Sequence, residues 1–277
     1  MRRRHFLAGL GAAMATASCS PSAGQPARPF EPTRFSVEVR GTGPDVILIP
    51  GLTAGRDVWA GTVAAVPGYR YHLVQIGGMA GEPVRGNADG AIVQPLAEEL
   101  SRYIASRNLR PAVVGHSMGG TLGMMVAARW PGRVGKLMVV DMLPQPTGLI
   151  GSSADRMRGL ADSLRGIASS PGGRRLFGSL IGSFGTDSRS DPDVVGRALH
   201  ELASIDLTPD LPRIGVPMTI VYASADARAR ASADGSYRQA YSGARGARFV
   251  RIDDSGHMIM FDQPARLHSA VREFLER

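Results

Sequence analysis

Short apolar runs alternate with helical patterns along most of this chain, and this alternation restricts the possible folds more than any other feature. Segment 46–49 is continuous and apolar, as is typical of a strand covered on both faces. Segment 34–39 alternates between apolar and polar residues, which is typical of a strand at a sheet edge. Strands that alternate with helices predict an α/β fold, with a mostly parallel central sheet flanked by helices. The other strand candidates are 71–76, 112–114, 136–140, 218–222 and 248–252, and the helix candidates are 93–106, 118–130, 233–241 and 264–275.

The segment from Pro144 to Pro212 breaks this alternation, because it contains no convincing strand. Apolar residues recur there at helical spacing, and a third helix is predicted to start at Pro192 with Asp191 as its N-cap. Three helices inserted between two strands predict a small cap, and some of its apolar side chains should face a cleft. The residues at helical spacing are Met157, Leu160, Leu164, Ile167, then Leu176, Phe177, Leu180, Ile181, Phe184, then Val195, Leu199 and Leu202.

The sequence Gly-His-Ser-Met-Gly at 115–119 is the sharpest catalytic signal in the chain. It fits the Gly-x-Ser-x-Gly nucleophile elbow, and it follows a strand candidate and precedes a helix candidate, as that motif requires. The serine of such an elbow lies in a tight, strained turn, so the flanking residues must be very small. Ser117 is therefore the predicted nucleophile, at the start of a helix whose dipole favours nearby negative charge.

A serine hydroxyl is a poor nucleophile without a base, and His257 is the predicted base. It follows the last strand candidate and precedes the last helix candidate, which is the position that the chain order Ser, Asp, His requires. Among the other histidines, His116 lies inside the elbow and is expected to point away from the nucleophile. His72 begins a strand and is expected to be structural, while His200 and His268 are expected on helix surfaces.

Two aspartates are candidates for the acid that orients the base. Asp226 follows the strand candidate 218–222, and Asp141 follows the strand candidate 136–140. Both are expected at the carboxyl ends of strands, where open α/β sheets build their sites. Chain order favours Asp226, and Asp141 remains the alternative acid or a carboxylate that holds loops by hydrogen bonds.

The first residues are typical of an export signal, with a positive segment at 2–4 and an apolar stretch at 6–17 that is too short to span a bilayer. The segment Arg-Arg-His-Phe-Leu at 3–7 resembles a twin-arginine signal. The segment Thr-Ala-Ser-Cys at 16–19 resembles a lipoprotein cleavage box, in which Cys19 would be lipidated, although threonine stands where leucine is usual. An ordinary cleaved signal is the alternative, and either interpretation predicts a bacterial periplasmic or membrane-anchored protein. The predicted organisation is a signal peptide at 1–18, a flexible tether at 19–32, a core at 33–143 and 213–277, and a helical cap at 144–212.

The formal charge of +8 does not indicate a nucleic-acid partner. Part of it lies in the signal segment, and the other basic residues are scattered rather than gathered in runs interleaved with aromatic residues. The single cysteine excludes an intramolecular disulfide. The sequence contains no metal-ligand cluster, phosphate-binding loop or cofactor signature, so no cofactor and no metal are expected.

From about residue 34 to its end, the chain resembles the α/β-hydrolase superfamily. Beside the elbow, the segment Pro-Gly-Leu-Thr at 50–53 resembles the oxyanion loop of that family, although Pro50 stands where histidine is frequent. The resemblance implies an α/β-hydrolase fold with a helical cap. It also implies that the backbone N–H groups of Leu52 and Met118 form the oxyanion hole.

The predicted activity is hydrolysis of a small carboxylic ester through an acyl-enzyme. An acyltransferase, a thioesterase or a lactonase would use the same triad, so these activities remain alternatives. A serine at position 117 argues against dehalogenases and epoxide hydrolases, which the family builds around an aspartate there. A ligand-binding protein without catalysis on this fold is the alternative from another functional class.

Overall fold

The computed structural model describes residues 30–148, 153–168, 172 and 189–277. Within these ranges, seven strands form one sheet: β1 (Phe35–Arg40), β2 (Asp45–Ile49), β3 (Arg70–Ile76), β4 (Ala112–His116), β5 (Lys136–Val140), β6 (Met218–Ser224) and β7 (Arg248–Asp253). Their order across the sheet is β1-β3-β2-β4-β5-β6-β7. β1 pairs antiparallel with β3 at one edge, and every other pairing is parallel. The predicted mostly parallel sheet and its predicted edge strand are confirmed.

Helices pack on both faces of this sheet. The described helices are α1 (Ala60–Ala65), α2 (Val93–Ser106), α3 (Met118–Arg129), α4 (Ala154–Ala168), α5 (Pro192–Leu202), α6 (Arg230–Ala240), α7 (Ile259–Asp262) and α8 (Pro264–Glu276). On β2, Ile47 and Ile49 pack with residues of α2 and α3, whereas Val46 and Leu48 pack with residues of α8. All four side chains are fully buried, which explains why this strand is a continuous apolar run. None of the helices in the described ranges is long and apolar enough to cross a membrane.

Two helices of the predicted cap, α4 and α5, lie between β5 and β6 in the chain and pack against each other. α5 begins at Pro192, and the carboxylate of Asp191 accepts hydrogen bonds from the N–H groups of Asp193 and Val194 at 3.0 Å each. This N-cap and the start of the helix are as predicted. The predicted helix over 176–184 lies outside the described residues, as do the side chains of Leu164 and Ile167.

The second cap helix is tied to the core by hydrogen bonds to the start of α2. The carboxylate of Glu201 accepts from the N–H groups of Ile92 and Val93 at 2.5 and 3.0 Å, so a cap residue satisfies donors that α2 itself cannot. The guanidinium of Arg197 donates to the carbonyl oxygens of Asn87 and Gly90 at 2.6 and 2.7 Å. These contacts fix α5 as one wall of the cleft above the sheet.

Candidate active site

Ser117 occupies the turn between β4 and α3. Its backbone angles are φ 51° and ψ −123°, a combination that residues with a side chain rarely adopt and that stores strain. Backbone hydrogen bonds hold the turn: the N–H of Ser117 donates to the carbonyl of Val140 at 2.9 Å, and the N–H of Gly120 donates to the carbonyl of Ser117 at 2.8 Å. The turn therefore presents Ser117 at the carboxyl end of β4, beside the end of β5.

The two glycines of the elbow are required by close backbone contacts. A Cβ at Gly115 would lie 2.2 Å from the carbonyl oxygen of Gly119, and a Cβ at Gly119 would lie 2.3 Å from the carbonyl oxygen of Ile49. Both distances are far inside van der Waals contact with backbone atoms, which have little freedom to move away. The steric reason predicted for the Gly-x-Ser-x-Gly spacing is confirmed.

The imidazole of His257 is held by Asp141, the alternative acid. Nδ1 of His257 lies 2.8 Å from Oδ2 of Asp141. Asp141 directly follows β5 with φ 49°, and its carboxylate is buried, whereas the side chain of His257 is 39% exposed. Ser117, Asp141 and His257 all line one cavity, so the structure brings these three residues together.

Asp226, the acid that chain order favoured, is not in contact with His257. It lies in the exposed turn after β6, and its Oδ1 accepts hydrogen bonds from the N–H groups of Arg228 and Ala229 at 2.7 and 2.9 Å. The preference for Asp226 over Asp141 is therefore corrected. The carboxylate of Asp226 shapes the turn that leads into α6, while Asp141 occupies the buried position behind the imidazole.

The carboxylate of Asp141 is surrounded by hydrogen-bond donors. Its Oδ1 accepts from the N–H of Ala223 and from the hydroxyl of Tyr237, both at 2.9 Å. Burial alone would raise the pKa of Asp141, but the bond to His257, the charge that His257 can carry and these two donors outweigh burial and lower it. Burial and the neighbouring carboxylate raise the pKa of Tyr237 well above its usual value, so its hydroxyl stays protonated and donates. No pattern in the sequence indicates this role for Tyr237.

We expect Tyr237→Phe to lower the stability of the protein and to raise the pKa of Asp141. A hydrogen bond to a charged group contributes about 1.5–3 kcal/mol, so the free energy of unfolding should fall by about that amount near neutral pH. The variant removes a donor that favours the ionised carboxylate, so the pKa of Asp141 should rise. Stability due to an ionised carboxylate is lost as pH falls through its folded pKa. Urea denaturation at several pH values should therefore show that loss beginning at a higher pH in the variant.

Tyr241→Phe is the matched control. Tyr241 directly follows α6, the helix that carries Tyr237, is also buried, and its ring is nearly parallel to that of Tyr237 at 6.5 Å between centroids. Its hydroxyl donates to the neutral carbonyl of Met142 at 2.7 Å rather than to Asp141. The free energy of unfolding of the Tyr241→Phe variant should fall by about 1 kcal/mol, and the pH dependence of its stability should not change. An identical pH shift in both variants would contradict the role given to Tyr237.

The loop over 50–53 lies directly beside Ser117. A Cβ at Gly51 would be 3.0 Å from Cβ of Ser117 and 2.9 Å from Nδ1 of His116, so only glycine allows this approach. Leu52 lines the cavity, and Met118 is the first residue of α3. Among the described residues, the backbone N–H groups of Leu52 and Met118 have no hydrogen-bond acceptor. The structure therefore places both predicted donors next to Ser117 with their N–H groups unused.

The elbow histidine contacts the loop that carries the predicted base. Nε2 of His116 lies 2.9 Å from the carbonyl oxygen of His257, and the centroids of the two rings are 4.6 Å apart. The sequence predicts that His116 points away from the nucleophile, and it does not indicate this contact. The contact spans 141 residues of sequence, so no local pattern could have indicated it.

A cavity of about 570 Å³ lies above Ser117, between the sheet and the cap. Besides the three residues of the site, its wall is mainly apolar, with Met157 and Leu160 of α4 and Leu199 and Leu202 of α5 facing it. The predicted apolar cleft-facing side of the cap is confirmed for these residues. In the part of the chain that the structure describes, no cluster of three or more His, Cys, Asp or Glu side chains is arranged to hold a metal ion.

Comparisons with known proteins agree with this geometry. The model of the "Alpha/beta hydrolase family" matches residues 46–270. Among solved structures, a thermophilic esterase from Thermogutta terrifontis superposes with a TM-score of 0.71 at 21% identity, covering 87% of this chain and 93% of that one. The same fold is therefore present in both proteins.

Several curated relatives are pimeloyl-[acyl-carrier protein] methyl ester esterases. The chain is 25% identical over 245 residues to the enzyme of Aromatoleum aromaticum, covering 80% of this chain and 94% of that protein. It is 26% identical over 208 residues to the enzyme of Vibrio atlanticus, covering 68% of this chain and 78% of that protein. A match at 33% identity to the enzyme of Aeromonas hydrophila is shorter, with 110 residues that span 42% of that protein's length. These similarities to esterases support the prediction of a carboxylic ester hydrolase.

Proposed function

Because this chain belongs to the alpha/beta hydrolase family, we propose that it is a serine hydrolase that cleaves carboxylic esters through an acyl-enzyme. The observation that carries the proposal is the arrangement around one cavity: Ser117 in a strained turn, His257 in the wall of the same cavity, and a buried Asp141 bonded to Nδ1 of that histidine. A nucleophile, a base and an acid that orients the base are the parts that acyl transfer needs.

In the proposed mechanism, Nε2 of His257 takes the hydroxyl proton of Ser117 as Oγ attacks the ester carbonyl. Asp141 holds Nδ1 in its protonated form, so Nε2 is free to accept, and the carboxylate stabilises the imidazolium that results. His257 then returns the proton to the leaving alcohol, and the acyl group remains on Oγ. In the second half, His257 activates a water that attacks the acyl-enzyme, which releases the acid and restores the hydroxyl of Ser117.

The backbone N–H groups of Leu52 and Met118 are the proposed oxyanion hole. Negative charge develops on the former carbonyl oxygen in each tetrahedral intermediate, and fixed donors aimed at that oxygen are commonly the largest electrostatic contribution to such reactions. Gly51 supports this assignment. Because Gly51 has no side chain, the loop that carries Leu52 can lie directly against Cβ of Ser117. Met118 adds the N-terminal end of α3, whose dipole favours the same charge.

The proposed substrate is a small ester with an apolar acyl or alcohol part. The walls contributed by Met157, Leu160, Leu199 and Leu202 favour a hydrocarbon chain over a charged group. A cavity of about 570 Å³ is within the size range of small-molecule sites. The relatives named above act on a methyl ester, and the ester bond is the feature that we carry over to this chain.

Labelling with a fluorophosphonate, followed by a panel of nitrophenyl esters of graded acyl length, tests the proposal. We expect one label per chain, located on Ser117 by peptide mass spectrometry, and turnover that depends on acyl length. Matched thioesters and lactones in the same panel separate the alternative activities that share this triad. A folded protein that is neither labelled nor active on any of these compounds would indicate a ligand-binding function instead.

We further propose that the protein is exported and that Cys19 carries a lipid anchor. The support is in the sequence alone, in the basic and apolar segments at 2–4 and 6–17 and in the cleavage-box pattern that ends at Cys19. Residues 1–29 lie outside the described ranges. An exported hydrolase would meet its ester substrate in the periplasm or at the membrane surface.

If Cys19 is lipidated, Cys19→Ser should move the protein from the membrane fraction into the soluble periplasmic fraction. Ser20→Ala, which changes the neighbouring residue and leaves the thiol intact, is the control. One acyl chain binds membranes only weakly, so a stably anchored wild-type protein should carry more than one, which intact-mass measurement detects. An unchanged distribution of Cys19→Ser between the two fractions would reject lipidation at this residue.

A further inference from the structure

His116 contacts both of the loops that flank Ser117. On one side, its Nε2 lies 2.9 Å from the carbonyl oxygen of His257 and its ring faces the ring of that residue. On the other side, a Cβ at Gly51 would lie 2.9 Å from its Nδ1 and 3.4 Å from its Cε1. The side chain is only 1% exposed. The ring of His116 is therefore buried between the loop that carries the general base His257 and the loop over 50–53 that carries Leu52.

The protonation of this ring follows from its partners. A carbonyl oxygen only accepts, so Nε2 of His116 must carry the hydrogen and donate to His257. Burial, and next the charge that His257 can carry, lower the pKa of His116 to about 3, so the ring is neutral at physiological pH. A neutral neighbour is what the base needs, because a cation 4.6 Å away would oppose the uptake of a proton from Ser117.

His116 differs from His72, another buried histidine, in the hydrogen bonds of its ring nitrogens. His72 is also buried, but both of its ring nitrogens have partners, the hydroxyl of Tyr103 at 2.7 Å and the carboxylate of Asp45 at 2.8 Å. Nδ1 of His116 has no hydrogen-bond partner among the described residues. An unpartnered buried nitrogen costs stability, so His116 stabilises the fold poorly for a buried histidine.

We propose that His116 is a positioning residue, which fixes the main chain of the general base His257 relative to Ser117 and to the oxyanion loop. This inference rests on the proposed function, because it assigns His257 the role of base. The hydrogen bond to the carbonyl of His257 sets the position of the base loop, and the flat ring against Gly51 sets the separation of the two loops. Displacement of a catalytic group by about 1 Å can lower turnover a hundredfold.

The test compares His116→Leu, His116→Gln and His72→Leu with the wild-type protein. Leu lacks the donor, whereas the amide N–H of Gln can still donate to the carbonyl of His257. We expect His116→Leu to lower kcat by about 10- to 100-fold, with KM and melting temperature nearly unchanged, and His116→Gln to recover most of the loss. His72→Leu should lower the melting temperature and leave kcat unchanged.

Native kcat in a folded His116→Leu variant would overturn the proposal. So would an equal loss of kcat in His116→Leu and His116→Gln, because the donated hydrogen bond would then not matter. If His116→Leu does not fold, His116→Asn replaces it, since its shorter amide does not reach the carbonyl. Failure of the proposed function is a different result, in which the wild-type protein itself neither hydrolyses esters nor reacts with a fluorophosphonate.

Discussion

We expect Ser117→Ala to lower the turnover of simple esters by a factor on the order of 10⁶, the loss that removal of the nucleophile causes in a serine protease. Without Oγ no acyl-enzyme can form, and only the oxyanion hole and binding remain to accelerate attack by water. KM should change little, because the apolar wall of the cavity is untouched. Labelling by a fluorophosphonate should disappear together with turnover.

The Ser117→Ala protein should remain folded, which makes the loss interpretable. The bonds that hold the turn involve the backbone of Ser117, whose N–H donates to Val140 and whose carbonyl accepts from Gly120. Ser255→Ala is the matched control, because Ser255 is a buried serine that lines the same cavity and its hydroxyl donates to the neighbouring carbonyl of Gly256. Near-native hydrolysis by a folded Ser117→Ala protein, or an equal loss in Ser255→Ala, would contradict the assignment of the nucleophile.

Features fixed by neighbours in sequence could be predicted from the sequence. The turn at Ser117 depends on two glycines within two residues of it and on the strand and helix on either side, and all of these are local. The start of α5 depends on a proline that can open a helix and on Asp191, whose carboxylate accepts from N–H groups two and three residues ahead. In both cases the pattern itself spans only a few residues and is visible in the sequence, although the folded turn at Ser117 also borders Ile49 and Val140.

Features fixed by contacts across the chain could not be predicted in the same way. The two donors and the imidazole around the carboxylate of Asp141 lie 82, 96 and 116 residues away from it. Asp226 also follows a strand and also lies between Ser117 and His257 in the chain, so both aspartates satisfy the chain order on which the preference for Asp226 rested. The difference lies in burial and in the φ of 49° at Asp141, which only the packed sheet determines.

The contacts of His116 also join residues that are far apart in the sequence. Its ring is in contact with a carbonyl 141 residues further along the chain and with a loop more than 60 residues before it. The elbow motif constrains the glycines and the serine sterically and leaves the histidine free. A residue type that the motif does not specify therefore acquires its contacts from the three-dimensional arrangement of the loops.

Asp141→Asn should be the crippling change among the acid candidates, and Asp226→Asn the mild one. An amide at position 141 can still accept from Ala223 and Tyr237, but its NH₂ group would face Nδ1 of His257. That contact favours the tautomer with the hydrogen on Nε2, which cannot take the proton of Ser117, and the corresponding change costs on the order of 10⁴ in turnover in a serine protease.

The contrast with Asp226→Asn decides between the two acids, because both variants remove one negative charge and keep the shape of the side chain. Asp226 is exposed, and an Asn there still accepts from the N–H groups of Arg228 and Ala229, so stability should change by less than about 0.5 kcal/mol. Turnover of a simple ester by both variants, with melting curves to establish that each is folded, gives the comparison. A large loss in Asp226→Asn with native turnover in Asp141→Asn would return the acid to the turn after β6. That result would require the turn to move, so that the carboxylate of Asp226 reaches His257. In the structure, this carboxylate accepts its two hydrogen bonds from Arg228 and Ala229 in its own loop.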